Sequence, residues 1–345
     1  MRARPFRYAA VFLVMAALVV LTDERTQPAL TDERAQPANA ALRDDVSASA
    51  GMRNDETASY RKPGADRSYK ADLVQRLPYA PRLVVFGGSR AVRFEPSLFA
   101  RLTGLPGFNA AFFKARPEDA WAFANFLLKR SPGTRLHCFW ALQGTSFSDG
   151  TLAPALAVDA RLSRYLPDDL VAATRAAWKA AGSPVYNLLS SRLYAHDGTL
   201  LWNTYDRSVE QGRTLDQSLD IYLRRMLPIA ARTTQPTQTR SKRYFEKTIK
   251  LFNGIGVTPV IVIMPYQPRV LAAFRAVGWE AKVDALRAYL RSLKNAGLRL
   301  VVLDYLEIAS FNGDANGFYD GAHITVANAR RIIRQAVRDA PGAFR

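Results

Sequence analysis

Residues 82–90 read RLVVFGGSR. Between the two arginines, a short apolar and β-branched run is followed by two glycines and a serine. An apolar run without alternation is typical of a parallel strand that is buried on both faces. The two glycines favour a tight turn directly after the strand, because glycine adopts backbone conformations that other residues avoid. The stretch therefore predicts a buried strand with Ser89 presented at its carboxyl end.

The same pattern recurs along the chain. Further strands are predicted at residues 107–112, 136–142, 258–264 and 298–303. Helices are predicted between and after them, at residues 96–102, 117–130, 241–252, 268–277, 280–296 and 326–337. This alternation predicts an α/β fold in which helices cover both faces of a five-stranded parallel sheet. Residues 145–240 interrupt the alternation, and we interpret them as a largely helical insertion that covers one side of the site.

The amino terminus has the pattern of an export signal. Arg2, Arg4 and Arg7 precede an uncharged apolar run at residues 8–21, and no acidic residue comes before Asp23. The run is shorter than the roughly 20 residues that a membrane-spanning helix needs, and the cleavage signal is poor. We interpret residues 1–21 as a signal peptide or an N-terminal membrane anchor, with both forms left open. The domain is then expected in the periplasm or at the extracytoplasmic face of the cytoplasmic membrane.

Residues 22–70 are predicted to be a disordered linker. TDERTQPA at residues 22–29 recurs as TDERAQPA at residues 31–38, and large apolar residues are scarce before Tyr60. Such a segment cannot bury enough surface to offset the chain entropy lost on folding. The folded domain is accordingly expected to span residues 71–345.

The charge of the chain is strongly positive. The 345 residues include 48 basic and 30 acidic side chains, a net charge of +18, and residues 71–345 account for +16 of it. The densest basic cluster has helical spacing and is interpreted as a solvated helix face: Arg240, Lys242, Arg243, Lys247 and Lys250. A basic surface favours an anionic partner. We expect a membrane or envelope polymer rather than nucleic acid, since the export pattern argues against the latter.

A serine, a histidine and an aspartate follow predicted strands. Ser89 follows the first strand, and the loop before the last helix carries Asp320 and His323. A serine nucleophile needs a base, and the base needs a carboxylate to orient it. The other two histidines fit less well, because His137 lies within an apolar strand and His196 lies in the insertion.

Gly-x-Ser after the first strand and Asp-x-x-His before the last helix together resemble the SGNH (GDSL-like) hydrolase superfamily, over about residues 80–340. The resemblance implies a flavodoxin-like three-layer α/β/α sandwich. It also implies that Ser89 is the nucleophile, His323 the general base and Asp320 its orienting partner. No cofactor or metal is expected.

The exit of the second strand, FNAA at residues 108–111, resembles the second sequence block of the superfamily. This implies that the backbone N–H of Ala111, together with that of Ser89, forms part of an oxyanion hole. Asn109 is assigned to substrate binding. The chain departs from the superfamily pattern at two positions. Ala111 stands where the second block has a glycine, and Gly88 stands where the first block has an aspartate.

The third block, QGTSF at residues 143–147, lacks the asparagine that donates to the oxyanion in the superfamily. Gln143 and Ser146 each carry a donor that can replace it, and the choice stays open. Arg90 is a candidate for binding an anionic substrate group, and Trp202 in the insertion is a candidate for stacking on a sugar ring.

Together these features resemble a membrane-tethered branch of the superfamily, similar to the D-alanyl transfer protein of teichoic acids and the alginate O-acetylation proteins. The resemblance implies an extracytoplasmic serine esterase or O-acyltransferase that acts on acyl esters, acetyl above all, of a cell-envelope glycan or related anionic polymer. A multi-spanning membrane acyltransferase is a possible partner. The alternative is a catalytically inactive binding module or accessory protein of such an acyltransferase.

Overall fold

The computed structural model of the chain describes residues 59–60, 66–147, 152–180, 192–232 and 239–345. The predicted signal peptide or anchor at residues 1–21 lies outside the described residues, as does most of the predicted linker. Among the residues described, no helix is both long enough and apolar enough to cross a membrane.

A five-stranded parallel sheet forms the centre of the domain. Its strands are β2 (Leu83–Phe86), β3 (Gly107–Asn109), β4 (His137–Leu142), β7 (Val260–Ile263) and β8 (Val301–Asp304). They are arranged in the order β3-β2-β4-β7-β8, which is the flavodoxin-like order 2-1-3-4-5 when the five are counted along the chain. The predicted α/β class and the five strands are confirmed. β2, β4 and β7 are buried along their whole length, as their continuous apolar runs predicted.

Helices cover the sheet on both faces, which confirms the three-layer α/β/α sandwich. They are α2 (Pro96–Thr103), α3 (Pro117–Arg130), α9 (Thr239–Gly254), α10 (Pro268–Arg275), α11 (Glu280–Asn295) and α12 (Val326–Asp339). α3 packs against α9, and α2 packs against α12. The core is rich in aromatic rings: Phe139 of β4 lies 5.1 Å from Phe94 and 5.0 Å from Phe99 between ring centroids. Each buried phenylalanine contributes about 1.5–3 kcal/mol.

The predicted insertion is confirmed as largely helical. It contains α4 (Pro154–Val158), α5 (Ala160–Ser163), α6 (Asp168–Ala180), α7 (Thr204–Glu210) and α8 (Leu215–Ala230), and two short strands, β5 (Arg192–Tyr194) and β6 (Leu200–Trp202). With β1 (Ser59–Tyr60) these two strands form a small antiparallel sheet in the order β1-β5-β6. α9 begins at the predicted end of the insertion.

The last part of the predicted linker is folded, so its carboxyl-terminal limit was wrong. Helix α1 (Asp66–Arg76) begins inside it. Lys70 is fully buried, and its Nζ donates to the backbone oxygens of Asn109 and Ala111, both at 2.8 Å. The Arg67 guanidinium pairs with the Asp119 carboxylate at 2.6 Å. Polar composition misled the prediction because these charged side chains are buried against partners that the sequence does not reveal.

Some side chains of the basic cluster on α9 face solvent, and Arg240 forms an ion pair within the protein. Arg243, Lys247 and Lys250 are exposed, in agreement with a solvated helix face. Arg240, by contrast, forms an ion pair of 2.7 Å with the buried Glu118 of α3. This end of the helix is therefore part of the packing between α3 and α9.

Candidate active site

Ser89, His323 and Asp320 form a hydrogen-bonded series at the carboxyl ends of the strands. Ser89 Oγ lies 2.8 Å from Nε2 of His323. On the other side of the imidazole, Nδ1 lies 2.9 Å from Oδ2 and 3.0 Å from Oδ1 of Asp320. With Nδ1 donating to the carboxylate, Nε2 carries the lone pair that accepts the serine proton. The arrangement has the geometry of a serine–histidine–aspartate triad.

The turn after β2 places Ser89 at the edge of the sheet. Gly87 has a φ of +151°, and a Cβ built there would lie 2.7 Å from the Cβ of Ala91. Only glycine fits this position. Residues Ser89–Ala91 then form a 3₁₀ turn whose bond from Ala91 N to Gly88 O measures 3.0 Å. The amides of Ser89 and Arg90 precede that bond, so they have no acceptor within the turn.

The loop before α12 is organised around the Asp320 carboxylate. Its Oδ1 accepts backbone N–H bonds from Ala322 and His323, both of 2.8 Å. Burial by itself raises the pKa of Asp320, but the His323 imidazole and these two donors outweigh it and hold that pKa below its ordinary value. The carboxylate is therefore ionised and fixed in place at neutral pH, as an orienting partner requires.

Tyr205, on α7 of the insertion, is a site residue that sequence reasoning missed. Its hydroxyl lies 3.1 Å from Nε2 of His323, and the two rings are 4.5 Å apart between centroids. Burial raises the pKa of Tyr205 well above its ordinary value, so the hydroxyl keeps its proton. No motif marks this tyrosine, because it reaches the site only through the folding of the insertion.

A buried ion pair holds α7 against the segment that follows Ser89. Asp206, the neighbour of Tyr205, pairs with Arg93 at 2.5 Å and accepts a 3.0 Å bond from the hydroxyl of Tyr319. Tyr319 directly precedes Asp320 in the loop of the triad. The contact thus connects the turn after Ser89, the insertion and the triad loop. Breaking a buried pair of this kind by removing one partner costs about 3–5 kcal/mol.

α8 of the insertion packs on the loop that carries Asp320 and His323. A Cβ at Gly321 would lie 2.3 Å from the ring of Tyr222, so the loop approaches the ring more closely than any side chain allows. Between the triad and these two helices lies a cleft of about 330 Å³, lined by Ser89, His323, Gln143 and insertion residues that include Tyr205 and Tyr222. This confirms that the insertion covers one side of the site.

Of the two side chains expected to replace the missing asparagine, Gln143 lines the triad cleft and Ser146 does not. Ser146 Oγ accepts the backbone N–H of Gln143 at 2.8 Å and lies beside a second cleft of about 230 Å³. The Oε1 atom of Gln143 accepts a 3.3 Å bond from Nη1 of Arg90. Because the amide oxygen faces Arg90, the NH₂ group points away from it and is available as a donor.

Two predicted roles in the second block are contradicted. The Ala111 N–H donates to Oδ1 of Asn109 at 2.9 Å, so it is already engaged and does not serve an oxyanion. Asn109 is fully buried and therefore does not touch substrate. Its Nδ2 instead donates to the carbonyl oxygens of Ala91 at 3.0 Å and Phe94 at 2.8 Å. Asn109 thus ties the exit of β3 to the turn that carries Ser89.

Trp202 is likewise not in the cleft. It is buried in β6, and its Nε1 donates to Glu210 of α7 at 3.0 Å, so the predicted stacking on a sugar ring is contradicted. Of the other histidines, His137 is buried at the start of β4 with Nδ1 2.8 Å from the Ala343 carbonyl oxygen. His196 is exposed in the insertion. Both positions agree with the interpretation that neither serves the triad.

Arg90 follows Ser89 directly, and its guanidinium is buried beside the triad loop. Its Nε donates to the carbonyl oxygen of Ala322 at 3.0 Å, and its centre lies 4.1 Å from the centroid of the Tyr266 ring. The side chain lines the triad cleft. The structure therefore keeps Arg90 as a candidate for substrate binding. Among the residues described, no group of three histidine, cysteine, aspartate or glutamate side chains is placed to hold a metal ion.

The chain was compared with protein-family models and with curated proteins. No protein-family model matches the chain, and no curated protein matches it. The features of this chain that bear on its function are therefore the flavodoxin-like fold and the geometry of Ser89, His323 and Asp320 at the carboxyl edge of the sheet.

Proposed function

We propose that the protein is an SGNH-type serine hydrolase or O-acyltransferase that acts on acyl esters. The single observation that carries this proposal is the series from Ser89 Oγ through His323 to Asp320, with contacts of 2.8 and 2.9 Å. A nucleophile, a base and an orienting carboxylate in direct contact are what acyl transfer through a serine requires. The proposed substrate is an ester, acetyl above all, of an envelope glycan or related anionic polymer.

The reaction follows from the roles of the three side chains. Ser89 Oγ attacks the ester carbonyl carbon while Nε2 of His323 takes the hydroxyl proton. The imidazolium, stabilised by the Asp320 carboxylate, returns that proton to the leaving alcohol as the C–O bond breaks. The acyl group then remains on Ser89 until a second hydroxyl, activated by His323 in the same way, attacks it and releases the serine.

The oxyanion requires donors other than the Ala111 amide. The N–H of Ser89 lies at the start of the 3₁₀ turn, and the NH₂ group of Gln143 is oriented by the bond from Arg90. Both belong to groups that line the triad cleft. Donors aimed at the developing charge are often the largest single contribution to catalysis of this kind.

The second hydroxyl decides between hydrolysis and transfer. Water as acceptor makes the protein an esterase, and a glycan hydroxyl makes it an acyltransferase. The export pattern of residues 1–21 and the charge of +18 support an extracytoplasmic location beside an anionic surface, with a multi-spanning membrane acyltransferase as a candidate partner that supplies or receives the acyl group.

A fluorophosphonate probe tests the proposal on the full chain. We expect covalent labelling of the wild-type protein at Ser89, release of acetate from an acetylated glycan or aryl acetate, and loss of both in Ser89→Ala. Ser146→Ala is the matched control, since this serine lies outside the triad cleft, and it is expected to label. Labelling that persists in Ser89→Ala would contradict the assignment of the nucleophile.

One observation favours a second candidate, a binding module without turnover. The Ala111 amide is engaged by Asn109, so the oxyanion loses a donor that the superfamily resemblance implies. This candidate predicts that the wild-type protein binds an acylated polymer but neither labels nor releases acetate.

A further inference from the structure

Arg90 carries a charge for which the described part of the protein provides no counter-ion. The side chain is 5% exposed. Among the described residues no carboxylate lies within ion-pairing distance of it, in contrast to the buried Arg67 and Arg93, which pair with Asp119 and Asp206 at 2.6 and 2.5 Å. A buried cation is costly unless it is paired. An anion that enters the cleft beside Ser89 would supply the missing counter-charge.

The hydrogen bonds of Arg90 leave part of the guanidinium unused. Nε donates to the Ala322 carbonyl oxygen and Nη1 to Gln143, both neutral acceptors. Nη2 is buried and has no partner among the described residues. A guanidinium presents its donors as a rigid fork that matches the oxygens of a carboxylate or phosphate. The two existing bonds and the Tyr266 ring hold the fork in place before such a group binds.

The surroundings of Arg90 suit the same kind of ligand. Among the described residues, the charged side chains that line the triad cleft, apart from His323, are Arg90, Arg213, Arg225 and Asp320. The Asp320 carboxylate is occupied by His323 and two backbone donors, so an incoming ligand meets three guanidinium groups. A cleft lined by one sign of charge concentrates ligands of the opposite sign.

We propose that Arg90 is a specificity-determining residue that binds an anionic group, a carboxylate or phosphate, carried by the substrate close to the ester that Ser89 attacks. The proposal rests on the proposed function. Because Arg90 adjoins Ser89 in the chain and contacts the loop of His323, an anion on its fork lies next to the reacting carbonyl. The residue thus selects charged acyl esters over neutral ones of the same size.

Matched pairs of esters test the proposal on the wild-type protein. 4-Acetoxybenzoate and 4-acetoxybenzamide differ by a charge on the alcohol side. The 4-nitrophenyl monoesters of succinate and succinamate differ by a charge on the acyl side. We expect kcat/KM to favour the anionic member of one pair by about ten- to a hundredfold, the range of a charge-assisted hydrogen bond, mainly through KM. The pair that responds identifies the side on which the anion lies. Equal kcat/KM values within both pairs would overturn the proposal without requiring any variant.

Variants assign the preference to Arg90. Arg90→Gln is expected to abolish the preference, Arg90→Lys to keep part of it, and Arg101→Gln, which removes an exposed charge on α2, to leave it unchanged. If Arg90→Gln lowers kcat/KM by the same factor for charged and neutral esters, so that the preference for the anion persists, Arg90 acts on the oxyanion or on the loop, and the proposal fails. Near-UV circular dichroism checks folding, and Arg90→Lys carries the test if Arg90→Gln does not fold.

Binding of esters by the Ser89→Ala variant distinguishes the anion site from the proposed catalytic function. Calorimetry of that variant with 4-acetoxybenzoate and 4-acetoxybenzamide, and with the succinate and succinamate esters, needs no turnover. Binding that favours the anion and is lost in Ser89→Ala/Arg90→Gln supports the anion site even if the wild-type protein cleaves no ester. Turnover without any preference for charge supports the hydrolase and overturns the anion site.

Discussion

The hydroxyl of Tyr205 lies 3.1 Å from Nε2 of His323, the same nitrogen that Ser89 Oγ approaches at 2.8 Å. A neutral imidazole that donates through Nδ1 has one lone pair, at Nε2, so only one of the two hydroxyls donates to it at a time. Tyr205 therefore competes with Ser89, the proposed nucleophile, for the lone pair of His323. The insertion that covers the cleft also acts on the triad itself.

Tyr205→Phe is expected to raise the rate at which a fluorophosphonate labels Ser89. The change removes the competing hydroxyl and keeps the ring against His323. A neutral hydrogen bond is worth about 1 kcal/mol, so the rise reaches about fivefold at most. The labelling rate at pH 8 measures it, with Tyr289→Phe on the remote helix α11 as the control. A large loss of labelling would show instead that the Tyr205 hydroxyl supports the reaction.

Gln143→Ala is expected to lower kcat by about a hundredfold or more for any ester that the protein cleaves, because it removes the proposed side-chain oxyanion donor. Ser146→Ala is expected to cost no more than about fivefold, since Ser146 Oγ only accepts the Gln143 N–H. Steady-state kinetics on one aryl acetate compares the two variants. The assignment would be reversed if Ser146→Ala proved the more damaging.

Asp320→Asn is expected to reduce kcat by about three to four orders of magnitude while Ser89 and His323 stay in place. An amide in place of the carboxylate neither stabilises the imidazolium nor selects the tautomer that leaves Nε2 unprotonated. Rates of ester cleavage at pH 8 measure the effect, and the melting temperature serves as the folding control. Activity within tenfold of wild type would mean that Asp320 serves the loop and not the chemistry.

Lys70 is expected to make the protein more stable as the pH rises from about 7 to about 10. Burial lowers the pKa of Lys70 to about 7, whereas the unfolded chain keeps its proton to about pH 10. Unfolding in this window takes up a proton, so the free energy of unfolding rises by up to about 1.4 kcal/mol per pH unit from this group. Urea unfolding at pH 7 and pH 9 measures the slope. Lys70→Met is expected to remove this contribution, and equal slopes in the two proteins would contradict it.

Much of the fold was predictable because strands and helices have characteristic local sequence patterns. The runs that became β2, β4 and β7 are buried on both faces and so are apolar without interruption. β3 and β8 proved shorter than predicted, and β8 is partly exposed. The folded start of the domain was missed because buried charged side chains, Arg67 and Lys70 among them, give α1 a polar sequence.

The candidate site divides in the same way. Ser89 was predictable from two glycines beside it, and Asp320 and His323 from one short loop. The role of Asn109 was not predictable, because its side-chain hydrogen bonds reach the carbonyl oxygens of Ala91 and Phe94, 15 to 18 residues earlier in the chain. The choice between Gln143 and Ser146 depended on which of the two faces the triad.

The sequence by itself determined the order of the five sheet strands and of the helices between them, and it singled out Ser89, Asp320 and His323, since each is marked within a few positions of the chain. The tertiary structure alone decided which groups surround them. Tyr205 reaches His323 across 118 residues and Arg90 reaches Ala322 across 232. Contacts over such separations depend on how the insertion and the last loop pack against the sheet, and no local pattern encodes that packing.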